Sequence, residues 1–221
     1  MTRTGVRATI KAFMRAGVAM LVLAAAAVSA ALAVAAPPQK APLTTRTIVY
    51  GSAITLTGKS PVSFKVPTAD VLSRPCRVTE FSNIARPAIA ANGSFTFRSG
   101  PTLNTAFRVL IADREVLNVS VLVKPAITIR RAAGGMFHVE VTTGNGAGLG
   151  GRSVLLQQQS GKAWRRVGSV KLKLISRPDQ IDAVAAGDGT ASLQGAGRVR
   201  AFLTAHQARP CFISSASASA S

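Results

Sequence analysis

A period of two, repeated along most of the chain, is what most constrains its fold. From Arg46 onward, short apolar runs alternate with polar residues and are bounded by Gly, Pro, Asn or Asp. Residues 52–57 place Ile54 and Leu56 on one face, and residues 94–98, 107–111 and 119–123 repeat the device. It continues at 126–130, 136–141, 153–157, 164–167, 170–174, 189–193, 198–203 and 212–213. Successive side chains of a strand point to opposite faces, so such alternation buries one face and wets the other. No apolar stripe with i, i+3, i+4 spacing runs through residues 46–213. Many short strands at regular spacing, with Gly-rich turns between them, indicate an all-β sandwich or barrel. Asn92-Gly93, just before residues 94–98, predicts a two-residue hairpin, because a type I′ turn needs positive φ at both central positions.

A different pattern precedes the alternation. Residues 1–15 carry Arg3, Arg7, Lys11 and Arg15 and no acid, and Ala16 to Ala36 run uncharged. A basic start, an apolar middle and the small-residue exit Ala33-Val34-Ala35 describe a secretory signal peptide over residues 1–35. A Pro-rich linker, 36–45, follows. The alternative is an uncleaved anchor, since the apolar run approaches the ~20 residues that span a bilayer. Its alanine-rich composition and Pro37-Pro38 favour cleavage. The chain is therefore expected to be secreted or held at the cell surface, with membrane contact only if the leader stays.

Lys124-Pro125 marks a boundary, because proline cannot donate to a ladder and favours strand starts. It divides the rest into modules 46–124 and 125–213, with a low-complexity Ser/Ala tail, 214–221, expected to fray. The two modules echo one another. Asn92-Gly93-Ser94-Phe95 has a counterpart in Asp188-Gly189-Thr190-Ala191, and an Arg-containing strand follows each. Their offset is about the ~100 residues of one immunoglobulin-type sandwich.

These segments resemble secreted bacterial Ig-like (immunoglobulin/fibronectin-III-like) β-sandwich modules. Tyr50-Gly51-Ser52-Ala53-Ile54-Thr55-Leu56-Thr57-Gly58 is similar to their aromatic-Gly opening and first strand. Asn92-Gly93-Ser94-Phe95-Thr96-Phe97 looks like the hairpin before their last strands. Gly151-Arg152-Ser153-Val154-Leu155-Leu156 and Lys162-Ala163-Trp164-Arg165-Arg166-Val167 look like their central hairpin. The first module departs from the pattern over residues 60–78, which lack the Trp and hold Pro75-Cys76 instead. The resemblance implies two tandem sandwiches acting as a spacer or as an adhesive, carbohydrate-contacting unit, not as a catalyst.

Chemistry-bearing constellations are sparse. Gly146-Ala147-Gly148-Leu149-Gly150-Gly151 matches G-x-G-x-x-G, yet the strand-like Arg152-Ser153-Val154-Leu155-Leu156 follows where a helix must open onto a pyrophosphate. A flexible hairpin loop explains the glycines. His138 and His206 are the only histidines, and there is no G-x-S-x-G elbow or H-E-x-x-H pair. Asp179 and Asp182 offer two side chains where calcium takes six to eight oxygens. No catalytic residue, cofactor or metal ligand is assigned. A secreted enzyme or inhibitor with a loop-built site, drawing on Asp179, Asp182 and His206, is the alternative.

Three residues stand out as ligand contacts, Trp164, Arg165 and Arg166, because a Trp beside cations can stack on a sugar or base. The stronger reading for Trp164 is the core, where a Trp on a central strand of an immunoglobulin sandwich packs. Adjacent Arg165 and Arg166 point to opposite faces of a strand, so only one can flank the ring. The formal charge is +19, or +15 once the four leader cations are set aside, and it favours anionic partners. Anionic cell-envelope polymers or another surface protein fit that balance. Aromatics interleaved with cations, as nucleic acid would want, are not visible. The cations are scattered along the sequence, so charge alone marks no site. Cys76 and Cys211 are the two cysteines; export permits a disulfide, and whether they pair is open.

Overall fold

Alternation does become strands. The computed structural model describes residues 40–61, 66–144, 148–176, 182–195 and 197–220; the leader, 1–35, lies outside the described residues. The first module contains β1 (Leu43–Val49), β2 (Ile54–Lys59), β3 (Asp70–Pro75), β4 (Ser82–Ala85), β5 (Ser94–Ser99), β6 (Thr105–Ile111) and β7 (Arg114–Lys124). The second contains β8 (Ala126–Arg131), β9 (Met136–Gly144), β10 (Ser153–Ser160), β11 (Ala163–Lys171), β12 (Lys173–Leu174), β13 (Asp182–Thr190), β14 (Val199–Leu203) and β15 (Ser215–Ala216). A single helical turn, α1 (Ala205–Ala208), is capped by the Thr204 hydroxyl.

Each module is a sandwich of two sheets in immunoglobulin order. That order places strands A-B-E-D on one sheet and C-F-G on the other. In the second module β8-β9-β13-β12 read as A-B-E-D, and β10-β14-β15 read as C-F-G with β11 added at the edge as a C′ strand. In the first, β2-β5 read as B-E and β3-β6-β7 as C-F-G, flanked by β4 and by β1, which runs parallel to β7. The chain crosses from one sheet to another between β5 and β6 and again between β13 and β14. The inward alternate residues make two cores. One joins Ile54, Leu56 and Phe95 to Val71, Phe107, Val109 and Val121; the other joins Val139, Val141 and Ala185 to Val154, Leu156, Ala201 and Leu203. Each Val, Leu, Ile or Phe side chain so removed from water is worth about 1.5–3 kcal/mol.

Turn chemistry departs from the sequence reading at two places. Asn92-Gly93 is not a hairpin turn between paired strands: only Gly93 has positive φ, and β5 pairs with the distant β2. Asn92 instead accepts hydrogen bonds through Oδ1 from the Ser94 amide and hydroxyl, a local Asx turn. A two-residue hairpin does join β6 to β7, where Ala112 and Asp113 both take positive φ between the paired Ile111 and Arg114. Residues 212–213 are not a strand either; Phe212 is buried in the second core from the turn after α1.

The Ser/Ala tail does not fray. β15 pairs antiparallel with β14, and Val199 and Ala220 exchange backbone hydrogen bonds further along. Its serines hold the alignment: Ser215 donates to the Pro125 carbonyl, Ser217 accepts from the Ala201 amide, and Ser219 accepts from Arg198. Ser-Ala-Ser-Ala is itself a period of two, with side chains small enough to pack at a sheet edge.

The two modules meet closely, and residues 37–221 form one compact unit. Cys76, after β3, is disulfide-bonded to Cys211, after α1, with their Cα atoms 5.3 Å apart. Asn104 sits between them, donating its amide to the Cys211 carbonyl and accepting from the Cys76 amide. Val123, one residue before the end of β7, is buried in the second core, and Tyr50 packs against the same core. The Tyr50 hydroxyl donates to the carboxylate of Asp182 at the start of β13.

Candidate functional site

The three contact residues anticipated from the sequence all lie on one hairpin. β10 and β11 are joined through Gly161 and Lys162, with Gln159 opposite Trp164, Gln158 opposite Arg165 and Gln157 opposite Arg166. Opposed residues share a face. Gln158 is buried and faces inward, so Gln157, Gln159, Trp164 and Arg166 face outward, while Arg165 falls on the side of Gln158 at the mouth of the sandwich.

Trp164 therefore does not enter the core. β11 is the C′ edge strand, not the central C strand, and its register turns the indole out. The Arg200 guanidinium, from β14, lies 4.1 Å from the centre of the Trp164 ring and 5.5 Å from that of Phe202. Arg200 Nε donates to Gln157 Oε1 at 2.9 Å, which fixes the stack.

A bulge follows the hairpin. The register slips between Leu156 and Gln157, setting Val167 out of step before Gly168 pairs with Leu156. Gly168 also bridges Ala191, so β11 closes the sandwich against the end of β13. Only glycine fits there: a Cβ on Gly168 would lie 2.4 Å from the Thr190 carbonyl oxygen. Between the hairpin and the 192–194 segment opens a cleft of 590 Å³, lined by Gln158, Gln159, Ser160, Arg165, Arg166, Ser192 and Gln194 among others. Its far wall is held by Gln158, whose amide accepts from the Gln194 amide at 3.0 Å and donates to the Gln194 and Gly195 carbonyls at 3.3 Å. A Cβ on Gly197 would press to 2.7 Å from that amide nitrogen.

Charge is divided between the two sheets of this module. β10, β11, β14 and β15 hold no acidic residue, yet they and their hairpin present Lys162, Arg165, Arg166, Lys171 and Arg200. Glu140, Asp182 and Asp188 all belong to β9 and β13 of the opposite sheet. Among the described residues Arg86 pairs with Asp70 and Arg108 with Glu115, while His138 hydrogen-bonds Asp188; none of these carboxylates lies against Arg165, Arg166 or Arg200. That sheet thus carries cations without acids, whereas the opposite sheet sets Arg130, Arg131 and Lys173 beside its three acids.

The other sequence candidates do not converge. His138 faces outward on β9, 2.9 Å from Asp188. His206 is exposed on α1, Asp182 is engaged by Tyr50, and Asp179 lies outside the described residues. Gly146 and Ala147 likewise lie outside them, and the chain beyond Gly151 enters β10, not a helix. Among the described residues no three His, Cys, Asp or Glu side chains gather as metal ligands. Gln158, Ser192 and Gln194 were not anticipated; the inward polar residue in the run Gln157-Gln158-Gln159 was their only sequence signal.

No protein-family model matches the chain, and no curated protein is similar to it. Among solved structures, the chain is similar to the major pilin subunit BcpA of Bacillus cereus, at 9% identity over 80% of this chain, with a TM-score of 0.20. The chain spans 66% of the length of that pilin. A likeness of that degree carries no functional weight.

Proposed function

We propose that the chain is an exported, non-catalytic structural or adhesive protein of the bacterial cell surface or extracellular space. Its modules are of the secreted bacterial Ig-like type, and the sheet β11-β10-β14-β15 of the second module holds anionic envelope polymers. One observation carries the reading: that sheet bears unneutralised cations and no acid, while the acids sit on the opposite sheet. Such a face attracts polyanions at long range. Support for export comes from the Cys76–Cys211 bond, since disulfides persist in oxidising compartments. A loop-built enzymatic or inhibitory site would need Asp182 free, and its carboxylate is taken up by Tyr50.

Co-sedimentation of residues 36–221 with isolated cell envelopes over a salt series tests this. Saturable binding that weakens steeply with salt is expected, because screening acts on exposed charges. Replacing Arg165 and Arg166 by Gln should weaken it more than the same change at Arg130 and Arg131 on the opposite sheet. Absence of binding, or equal loss from both double variants, would remove the assignment to this face.

A further inference from the structure

We infer that the cleft between the β10–β11 hairpin and the 192–194 segment is a subsite for an acidic sugar, a hydroxylated ring bearing a carboxylate or phosphate. The inference rests on the proposal that anionic polymers are held on this sheet, and it names which ones. Charge alone would need no cavity; an extended polyanion can lie along a flat basic face. Here a 590 Å³ cleft, within the roughly 300–1,000 Å³ of small-ligand sites, opens beside the cations.

Its lining is of two kinds. Arg165 and Arg166 come to it from opposite sides of β11, and neither is engaged by a carboxylate among the described residues. A guanidinium fork matches carboxylate and phosphate oxygens. The remaining polar lining is neutral: the hydroxyls of Ser160 and Ser192 and the amides of Gln159 and Gln194. Amides and hydroxyls both donate and accept, as the hydroxyls of a sugar require, whereas an inorganic polyanion offers acceptors only. Gln158 is a positioning residue here. Its amide is consumed in holding Gln194 and Gly195, so the neutral wall is pre-set against the cations before a ligand arrives. Gln159, in turn, shares the outward face with Trp164, and the Arg200-backed indole offers a neighbouring ring a flat apolar surface.

The test compares polygalacturonate with polyphosphate, matched in charge, by equilibrium binding of residues 36–221 in rising salt. At about 0.3 M salt, where exposed charges are largely screened, polygalacturonate should bind at least about tenfold more tightly. Ser192→Ala with Gln194→Ala, both on exposed positions, should weaken polygalacturonate binding more than polyphosphate binding and so remove that preference. Competition by galacturonate against glucose 6-phosphate tells which anion the arginines select. If both polymers bind equally and fall together with salt, the sugar subsite is refuted and the basic face survives. If polyphosphate or duplex DNA binds better than the glycan, the subsite is refuted as well. If nothing binds, both readings fall.

Discussion

Tyr50 is the one tyrosine of the chain, and its proton is held more firmly than a phenol's usually is. Burial against the second module deprives the phenolate of water, and the Asp182 carboxylate, which accepts the hydroxyl's hydrogen bond and would repel the phenolate, adds to it; together they push the pKa up to about 12 from 10.0. Ultraviolet titration reads this group alone, since no other tyrosine interferes, and a midpoint near 12 is expected in the folded protein. Asp182→Asn should lower the midpoint without returning it to 10.0, because desolvation, the larger cause, remains. The sign for stability follows. Between pH 10 and 12 the unfolded chain releases a proton that the folded chain keeps, so the contribution is intact below pH 10 and is lost as pH rises through that window. A midpoint at 10 under folded conditions would remove Tyr50 from the joint. None of this was legible in sequence, because the partners lie 132 residues apart. Glycines were similarly opaque. Gly187 sits in the alternation of β13, yet a Cβ there would meet the Lys171 carbonyl oxygen at 2.4 Å. Gly187→Ala should destabilise the fold by about 1–3 kcal/mol in urea unfolding, the usual cost of overpacking.

At the scale of the element, period two was legible wherever inward residues are large and apolar, as in β2, β6, β9 and β10. It was illegible in β3, whose inward pair is Val71 and Ser73, and it was mistaken for low complexity in the tail. A strand's place within its sheet was not legible at all, because that depends on which partner arrives between two others. Trp164 illustrates the consequence. On a central C strand its indole would fill the core; on the C′ edge it faces outward beneath Arg200. Trp164→Ala should therefore cost about 1 kcal/mol, the order of a cation–π contact with partial burial, and not the ~3–5 kcal/mol of a buried Trp. Leu156→Ala, in the core two positions before Gln158, should cost about 2–5 kcal/mol. Chemical unfolding of the two variants side by side checks the contrast, and equal losses would put the indole back in the core.

The whole molecule is more than two sandwiches in series, and the joint is where that can be measured. Two separate cores predict two independent unfolding units; a shared joint predicts one. The joint is built from contacts that neither module supplies alone. Val123, one residue before the end of β7, lies inside the core of the second module, and its carbonyl accepts from the Ile213 amide. Asn104 carries backbone bonds to both half-cystines and accepts the Val123 amide at its side chain. The Cys76–Cys211 bond closes a span of 135 residues, which on the loop-entropy account contributes up to about 5 kcal/mol. With the disulfide intact, hydrogen exchange in β6 and β14 should report the same opening free energy, because neither core opens without breaking the joint. Cys76→Ser with Cys211→Ser removes the tether and leaves the Tyr50 and Asn104 contacts. The two strands should then exchange at different free energies, with the first module, whose B-E sheet has two strands among the described residues, opening first. Independent opening with the disulfide intact would make the modules beads on a string. The basic face of the second would then be free to turn about the linkage instead of being held at a fixed angle to the first.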